Sequence, residues 1–484
     1  MVIDPLTAQE IIVTAALIHD YVTLDNLKFN CIALHEPRRC EYTAFCDGTA
    51  SPPDRRAFSS VLRDGTGQVS EAVVNLRSMQ VESWKDLQNV LPVCENSRME
   101  DVARTNPQVI KLCREIGIED MSKVYFDIWA TSIKDRSGLN RPLQRVLPYY
   151  RLSTCDNQYA YPLDFHIMAH CDTNEIVSVG VRHPGDKQMP ISLEEYNPSP
   201  QYLEGSYCRH RSKHSGITEP SDTSFQADGN EITWVALKMH VGFNDREGVV
   251  LSDIRIDDPC EQREKMLFNR ISVADITMPH RSPGSMAHSP RTKYDCVGAI
   301  HSLDAVTVTT KGEPLLIKNA ICIHEEDNGP LYKHTNTRDH SVVSTRHRKL
   351  VISDIVTIAN LDYAFYHIFT LDGMYKLEAK LAGTPTTSWP HQPGGLDGLG
   401  TTEPHNHPHI FCPRVDPAID GPHKNIVQNN IIFLDGSAPG SKLVNTKKAP
   451  PLASSHCATS LKANKQISLK KPSGSLPTKT GRSI

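Results

Sequence analysis

The spacing of apolar residues changes twice along the chain. From Ala8 to Tyr21 they recur every three or four positions, which predicts an amphipathic helix. Asp4-Pro5-Leu6-Thr7 before it, with Glu10 three residues after Thr7, reads as the helix start. Strand patterns follow at Phe29–Leu34, Val69–Leu76 and Ser78–Trp84, with Arg63-Asp64-Gly65-Thr66-Gly67 as a hairpin turn. The stretch Arg38–Ser60 carries little pattern. A second unit then repeats the plan. Helices are predicted over Ser97–Thr105 and, started by Asn106-Pro107, over Gln108–Ile116. Strands are predicted over Val124–Ala130, Arg145–Tyr150, Asp164–His170 and Glu175–Val181, the last two joined by a tight turn at Cys171–Asn174.

Pro184–Thr223 is polar and rich in Pro, Ser and His, and reads as a linker. From Ser224 strands succeed one another with turn signals between: Glu231–Val241, Gly248–Ile256, Ile271–Thr277, Val297–Thr310, Gly312–Ile323, Lys349–Ile358, Tyr363–Leu371 and Met374–Ala382. Such close spacing predicts a large, mainly antiparallel β-sandwich. After about Asn430 the pattern stops. The fold class expected is therefore two small α+β domains (1–90 and 95–205), a β-sandwich (224–430), and a disordered tail (431–484).

Composition narrows the function. The 484 residues suffice for roughly three domains. A net charge of -4 and the lack of a polybasic patch before the tail speak against nucleic acid. No run approaches the roughly 20 apolar residues of a membrane span. Neither a secretory leader at the start nor a Ser-Lys-Leu address at the Gly-Arg-Ser-Ile484 end is recognised, so an intracellular, cytoplasmic protein is expected. The 13 cysteines include no CxxC pair, which removes the usual signature of structural zinc.

Two stretches carry candidate chemistry. Thr357–Phe369 reads as a buried strand with Asn360 and Asp362 near its centre, and buried polar groups need partners. His407-Pro408-His409 places two imidazoles on one side of an extended chain, a donor pair suited to copper or zinc. His405 shares that side if the strand starts early.

Taken together, Asp4-Pro-Leu, Glu71-Ala-Val-Val-x-Leu76, Asn157-x-Tyr-Ala-x-Pro162, Val241-Gly-Phe-x-x-Arg-Glu-Gly248, Asp295-Cys-x-Gly298, Cys322-Ile-His-Glu-Glu-Asp327, Lys333-His-Thr335, Asn360-x-Asp362 and Asn406-His-x-His409 make the chain resemble the copper-containing amine oxidases. The resemblance runs from Asp4 to about Asn425. It implies that the two small domains are that family's N2 and N3 domains and that the sandwich is its catalytic domain. It further implies homodimers that oxidise primary amines with O2 to aldehydes, ammonia and hydrogen peroxide. The implied cofactors are copper, held by His407 and His409, and topaquinone, made from one of the protein's own tyrosines. Cys296 and Cys322 match the family's disulfide, and Asp416 matches part of a second, calcium-like metal site.

Three departures oppose activity. Leu361 stands in Asn360-Leu361-Asp362 where the family has the tyrosine that becomes the quinone, and leucine has no ring to oxidise. The segment that bears the family's catalytic aspartate is shortened: only 16 residues separate Pro279, in the turn Met278-Pro279-His280, from Cys296, and Tyr294-Asp295 belongs to the Asp-Cys motif. The family's third copper-binding histidine lies in a region beyond this chain, and neither His423 nor His456 stands in a matching context, so a weak copper site and a sandwich incomplete at its C-terminal end are expected. The expectation is an amine oxidase scaffold that is inactive or severely impaired; the alternative is an active primary amine oxidase represented by a faulty or incomplete gene model.

Overall fold

A computed structural model of the chain describes residues 2–22, 27–63, 68–87, 96–134, 142–151, 159, 161–171, 173–181, 223–277, 285–288, 296, 298–358, 360–383, 387–388, 403–404, 409–419, 427–431 and 452–456. They belong to two units, Met1–Pro417 and Ala418–Ile484.

The first unit opens with helix α1 (Ala8–Val22), strand β1 (Leu27–His35), helix α2 (Arg39–Cys46) and strands β2 (Arg56–Arg63), β3 (Gln68–Asn75) and β4 (Gln80–Leu87). The four strands form an antiparallel sheet in chain order. Helix α1 buries Ile11, Thr14, Ala15 and Ile18, one helical stripe, against Phe29, Ile32, Val61 and Val74. Its start is a reciprocal cap: the Glu10 N–H donates to Thr7 Oγ1 at 3.3 Å and the Thr7 N–H to Glu10 Oε2 at 2.8 Å. Helix α2 falls inside Arg38–Ser60, where no element is predicted. None of its residues is buried, so it has no apolar stripe to betray it. The Arg38 N–H donating to Glu41 Oε2 at 3.2 Å and the Tyr42 hydroxyl donating to Asp253 Oδ2 at 2.8 Å hold it instead.

Helices α3 (Asn96–Thr105) and α4 (Pro107–Glu115) precede strands β5 (Val124–Lys134), β6 (Pro142–Tyr150), β7 (Tyr161–Pro162), β8 (Phe165–His170) and β9 (Ile176–Val181). The sheet order is β5-β6-β8-β9, with β7 beside β6. Asn106 caps α4, its side chain accepting the Gln108 and Val109 N–H groups at 2.9 and 3.2 Å, and Pro107 takes the first position, where a missing N–H costs nothing. Asn174, at φ 59°, lets the chain reverse between β8 and β9. Apart from Thr223, the predicted linker Pro184–Thr223 lies outside the described residues.

Two sheets make the sandwich. The first contains β10 (Phe225–Asp228), β11 (Glu231–Trp234), β12 (Leu237–Asn244), β13 (Gly248–Asp258) and β14 (Arg263–Thr277). The second contains β15 (Ser285–His288), β16 (Ile300–Val308), β17 (Pro314–Thr335), β18 (Val342–Ile358), β19 (Leu361–Thr370) and β20 (Tyr375–Gly383). After the short pair β21 (Thr387–Ser388) and β22 (Glu403–Pro404), β23 (Ile410–Pro417) returns to the first sheet beside β14. Trp234, Val241, Leu251 and Ile271 of one sheet interlock with Ile321, Ile323, Leu350, Ile352 and Phe369 of the other. The single strand expected over Glu231–Val241 is two, broken at Val235, which is turned to φ 54°. β17 and β18 run past their expected ends as an arm. It is exposed over most of its length, with Leu331, Tyr332, Val342 and Val343 open to solvent. Its mixed polar and apolar residues give no alternation to read.

In the second unit, β24 (Val427–Ile431) pairs antiparallel with β25 (Leu452–His456). A strand thus stands within the tail expected to be patternless; the rest of that tail lies outside the described residues.

One buried carboxyl crosses the sandwich. Asp354 of β18 points at β13 and accepts the Val249 N–H, while its Oδ2 is buried without a hydrogen-bond partner. Gly248, at φ 67°, makes the approach feasible, because a Cβ there would run into Asp354 Oδ2. Burial pushes the Asp354 carboxyl up to about 7, well above its unfolded value, and does the same to Asp245 and Asp127. The native state therefore favours the protonated acid. The stability this contributes is full below about pH 4 and is lost as pH rises through about 7. Asp354→Asn, neutral at every pH, should flatten part of the fall in melting temperature over that window, by at most about 4 kcal/mol in stability. An unchanged slope would show that the carboxyl is not held neutral.

Candidate active site

Thr357–Phe369 is a hairpin rather than one buried strand. Ile358 ends β18 and pairs with Leu361, the first residue of β19. Asn360 lies half-buried in the turn, and Asp362 is exposed with its carboxylate accepting the Thr357 hydroxyl across the hairpin. Turns favour Asn and Asp, so the two polar side chains need no burial to explain them. Leu361 is half-buried. Gly383 of β20 pairs with it at φ 123°, and a Cβ there would lie 2.9 Å from Leu361 Cα.

Alternation along β19 sends Leu361, Tyr363 and Phe365 to the same side, toward the other sheet. There they pack with Val273 and Ile276 of β14 and Phe411 of β23. His409 stands just before β23, half-buried, and its Nδ1 is 3.0 Å from the Tyr363 hydroxyl. The Tyr363 and His409 rings are 5.8 Å apart, and Phe411 meets Tyr363 and Phe365 edge-on at 6.0 and 5.7 Å. Tyr363 itself is fully buried, and burial pushes its phenol up to about 12, so it stays protonated at neutral pH. The hydrogen bond between Tyr363 and His409 is the contact sequence reading missed. The two-residue offset from Leu361 is the signal that could have placed Tyr363 on this side; only the fold places His409 opposite.

The structure thus brings Leu361, Tyr363 and His409 to one end of the space between the sheets. His407 and His405, the turn Met278-Pro279-His280, Tyr294 and Asp295 lie outside the described residues. Asp416 accepts a hydrogen bond from Asn269 at 2.8 Å and has the Arg39 guanidinium at 3.8 Å, a cation where a second metal would need space free of positive charge.

Cys296 and Cys322 are bonded to each other. Cys322 lies on β17 between the inward-facing Ile321 and Ile323, so it points to the outer face. His324, two residues on, has Nδ1 3.5 Å from Cys322 Sγ and Nε2 3.0 Å from Glu326 Oε1. Among the described residues, Cys296, Cys322 and His324 are the three side chains that converge closely enough to hold a metal. The strand was expected to end at Ile323; because β17 continues to Thr335, Cys322, His324 and Glu326 share one of its faces.

The comparisons with known proteins agree from end to end. Family profiles match in series: copper amine oxidase N2 domain over residues 2–87, N3 domain over 94–195, and the copper amine oxidase enzyme domain over 226–473. Copper amine oxidase 1 of Schizosaccharomyces pombe is 33% identical over 91% of this chain and 66% of its own. A peroxisomal primary amine oxidase of Pichia angusta is 33% identical over 84% of this chain and 62% of its own. The chain therefore spans less than two thirds of the length of these relatives. The fold matches the crystal structure of a copper-containing benzylamine oxidase from Hansenula polymorpha with a TM-score of 0.75 at 23% identity, covering 94% of this chain and 76% of that one. The expectation of a cytoplasmic protein does not survive, because it rested on signals missing from the chain ends while a relative matched over most of this chain is named for the peroxisome. Two small α+β sheets, the sandwich behind them and three family profiles in the same order leave one conclusion: the chain belongs to the copper amine oxidase family.

Proposed function

We propose that this protein is a copper amine oxidase scaffold with a candidate copper pair and a defective quinone site, inactive or severely impaired in oxidising primary amines with O2. The carrying observation is Leu361 packed against Tyr363, whose hydroxyl meets His409. A leucine there packs, but it supplies no ring, so no topaquinone forms at this position and the covalent route through a substrate Schiff base is closed. The shortened segment between Pro279 and Cys296 removes the place from which the family's base would act.

The donor set suits copper. The hydrogen bond between His409 Nδ1 and the Tyr363 hydroxyl, 3.0 Å long, orients the imidazole that would serve as a ligand. His407, two residues earlier, is the second donor. Copper bound by this pair would supply a one-electron redox centre. Tyr363 orients one ligand, and the phenylalanines around it keep water from the contact. Tyr363 does not replace the lost tyrosine in this reading, because its hydroxyl is engaged with His409 Nδ1.

The remaining assignments rest on the family and belong to the same proposal. They are domain division at 1–90, 95–205 and 224–430 followed by a separate tail, a homodimer, and a peroxisomal address. The exposed apolar side chains Leu331, Tyr332, Val342 and Val343 on the β17–β18 arm support the homodimer, since a second copy would cover them.

Purified, copper-loaded protein should give no colour in redox-cycling quinone staining and no amine-dependent hydrogen peroxide. A positive stain would refute the inactive reading. Leu361→Tyr should give at most a stainable quinone, with turnover about 10²–10⁴-fold below an active relative for want of the base; full recovery would mean another residue serves as base. Tyr363→Phe should weaken copper binding about 10–100-fold in competition with a chromophoric chelator. Unchanged affinity would remove Tyr363 from the site.

A further inference from the structure

We infer that, when the Cys296–Cys322 bond is reduced, Cys296, Cys322 and His324 form a zinc-type metal site that the disulfide otherwise closes. It includes neither His407 nor His409 and does not depend on any amine-oxidising activity.

The argument begins with β17. Cys322, His324 and Glu326 alternate along it and share its outer face. Cys296 is brought to that face from another part of the chain. Cys296, Cys322 and His324 are all nearly inaccessible to solvent, at 2%, 2% and 1% exposure. A buried imidazole needs its nitrogens used. The His324 Nε2–H donates to Glu326 Oε1 at 3.0 Å, so the lone pair falls on Nδ1, the nitrogen that faces the sulfurs. The Lys349 ammonium, 2.7 Å from Glu326 Oε2, holds that carboxylate in place beside the ring. A carboxylate that fixes the tautomer of an imidazole aimed at thiol sulfur is the outer shell of a histidine metal ligand.

The distances suit zinc. Zinc–sulfur and zinc–nitrogen bonds of about 2.3 and 2.0 Å set tetrahedral sulfur–nitrogen edges near 3.5 Å, the separation found between Cys322 Sγ and His324 Nδ1. Three protein ligands leave a fourth position for water or an added thiol. The chemistry balances in both directions. A dithiol or phosphine reductant supplies two electrons, the S–S bond breaks, and two protons complete the thiols; zinc then displaces those two protons on binding. In reverse, one hydrogen peroxide takes two electrons from the two thiolates, the S–S bond reforms, two hydroxides leave, and the zinc is released.

The full chain, reduced anaerobically with a phosphine and titrated with cobalt(II) as a spectroscopic stand-in for zinc, tests this. One equivalent should produce thiolate-to-cobalt charge-transfer absorption with tetrahedral ligand-field bands, and one equivalent of hydrogen peroxide should abolish both. The copper pair has no sulfur and cannot give the charge-transfer band. Cys322→Ser should lose it, and His324→Gln, checked for folding by circular dichroism, should bind at least tenfold more weakly. A measurement on the unmutated chain guards against misfolding: zinc should slow alkylation of Cys296 and Cys322 at least tenfold, read by mass spectrometry, while leaving the exposed Cys40, Cys46, Cys260 and Cys412 unchanged. The proposal is overturned by absence of the thiolate band, by its survival in Cys322→Ser, or by equal alkylation with and without zinc.

Discussion

The two-residue alternation that β17 keeps from Ile321 to Glu326, and that β18 and β19 keep beside it, sets both candidate sites. The registers Ile321↔Asp354↔Phe365 and Ile323↔Ile352↔His367 put one set of side chains between the sheets and the other set outside. A slip of one residue in β18 would exchange the two sets and carry Ile352 and Leu350 into the outer face. With the register as it stands, Tyr363 meets His409 inside, while Cys322 and His324 face outward toward Cys296. The two candidate sites are consequences of one pairing.

The small N-terminal sheet is tied to the sandwich by charge as much as by apolar contact. Arg270 of β14, almost fully buried, donates to Glu36 beyond β1 at 2.8 Å and to Glu247 at 3.0 Å. Asp4 meets His240 of β12 at 2.8 Å. A buried guanidinium is tolerable only with its donors satisfied, and here two carboxylates and the Ser272 hydroxyl do so. Removing one partner strands the others, so these contacts fix orientation more than they add net stability.

The architecture was legible where burial is one-sided. The stripe of α1, the Thr7–Glu10 cap and the succession of sandwich strands could be read because water and core impose opposite demands on alternate positions. Legibility failed where that contrast disappears. Helix α2 buries nothing, and the outer half of the arm is wet on both faces. At the site, the position of Leu361 was legible, while the side shared by Tyr363 emerged with β19. It misread Asn360 and Asp362 as buried, because a tight hairpin turn and a continuous strand can carry the same residues. The partnership of Tyr363 with His409 spans 46 residues and depends on β23 returning to the first sheet, which no local pattern encodes.

Leu361 has a consequence for folding. Its side chain joins Ile358, Tyr363, Phe365 and Phe411 in one apolar cluster, and it brings no hydroxyl that burial would leave to satisfy. Folding at this position therefore asks only for apolar contact and makes no demand on a bound metal or on redox chemistry.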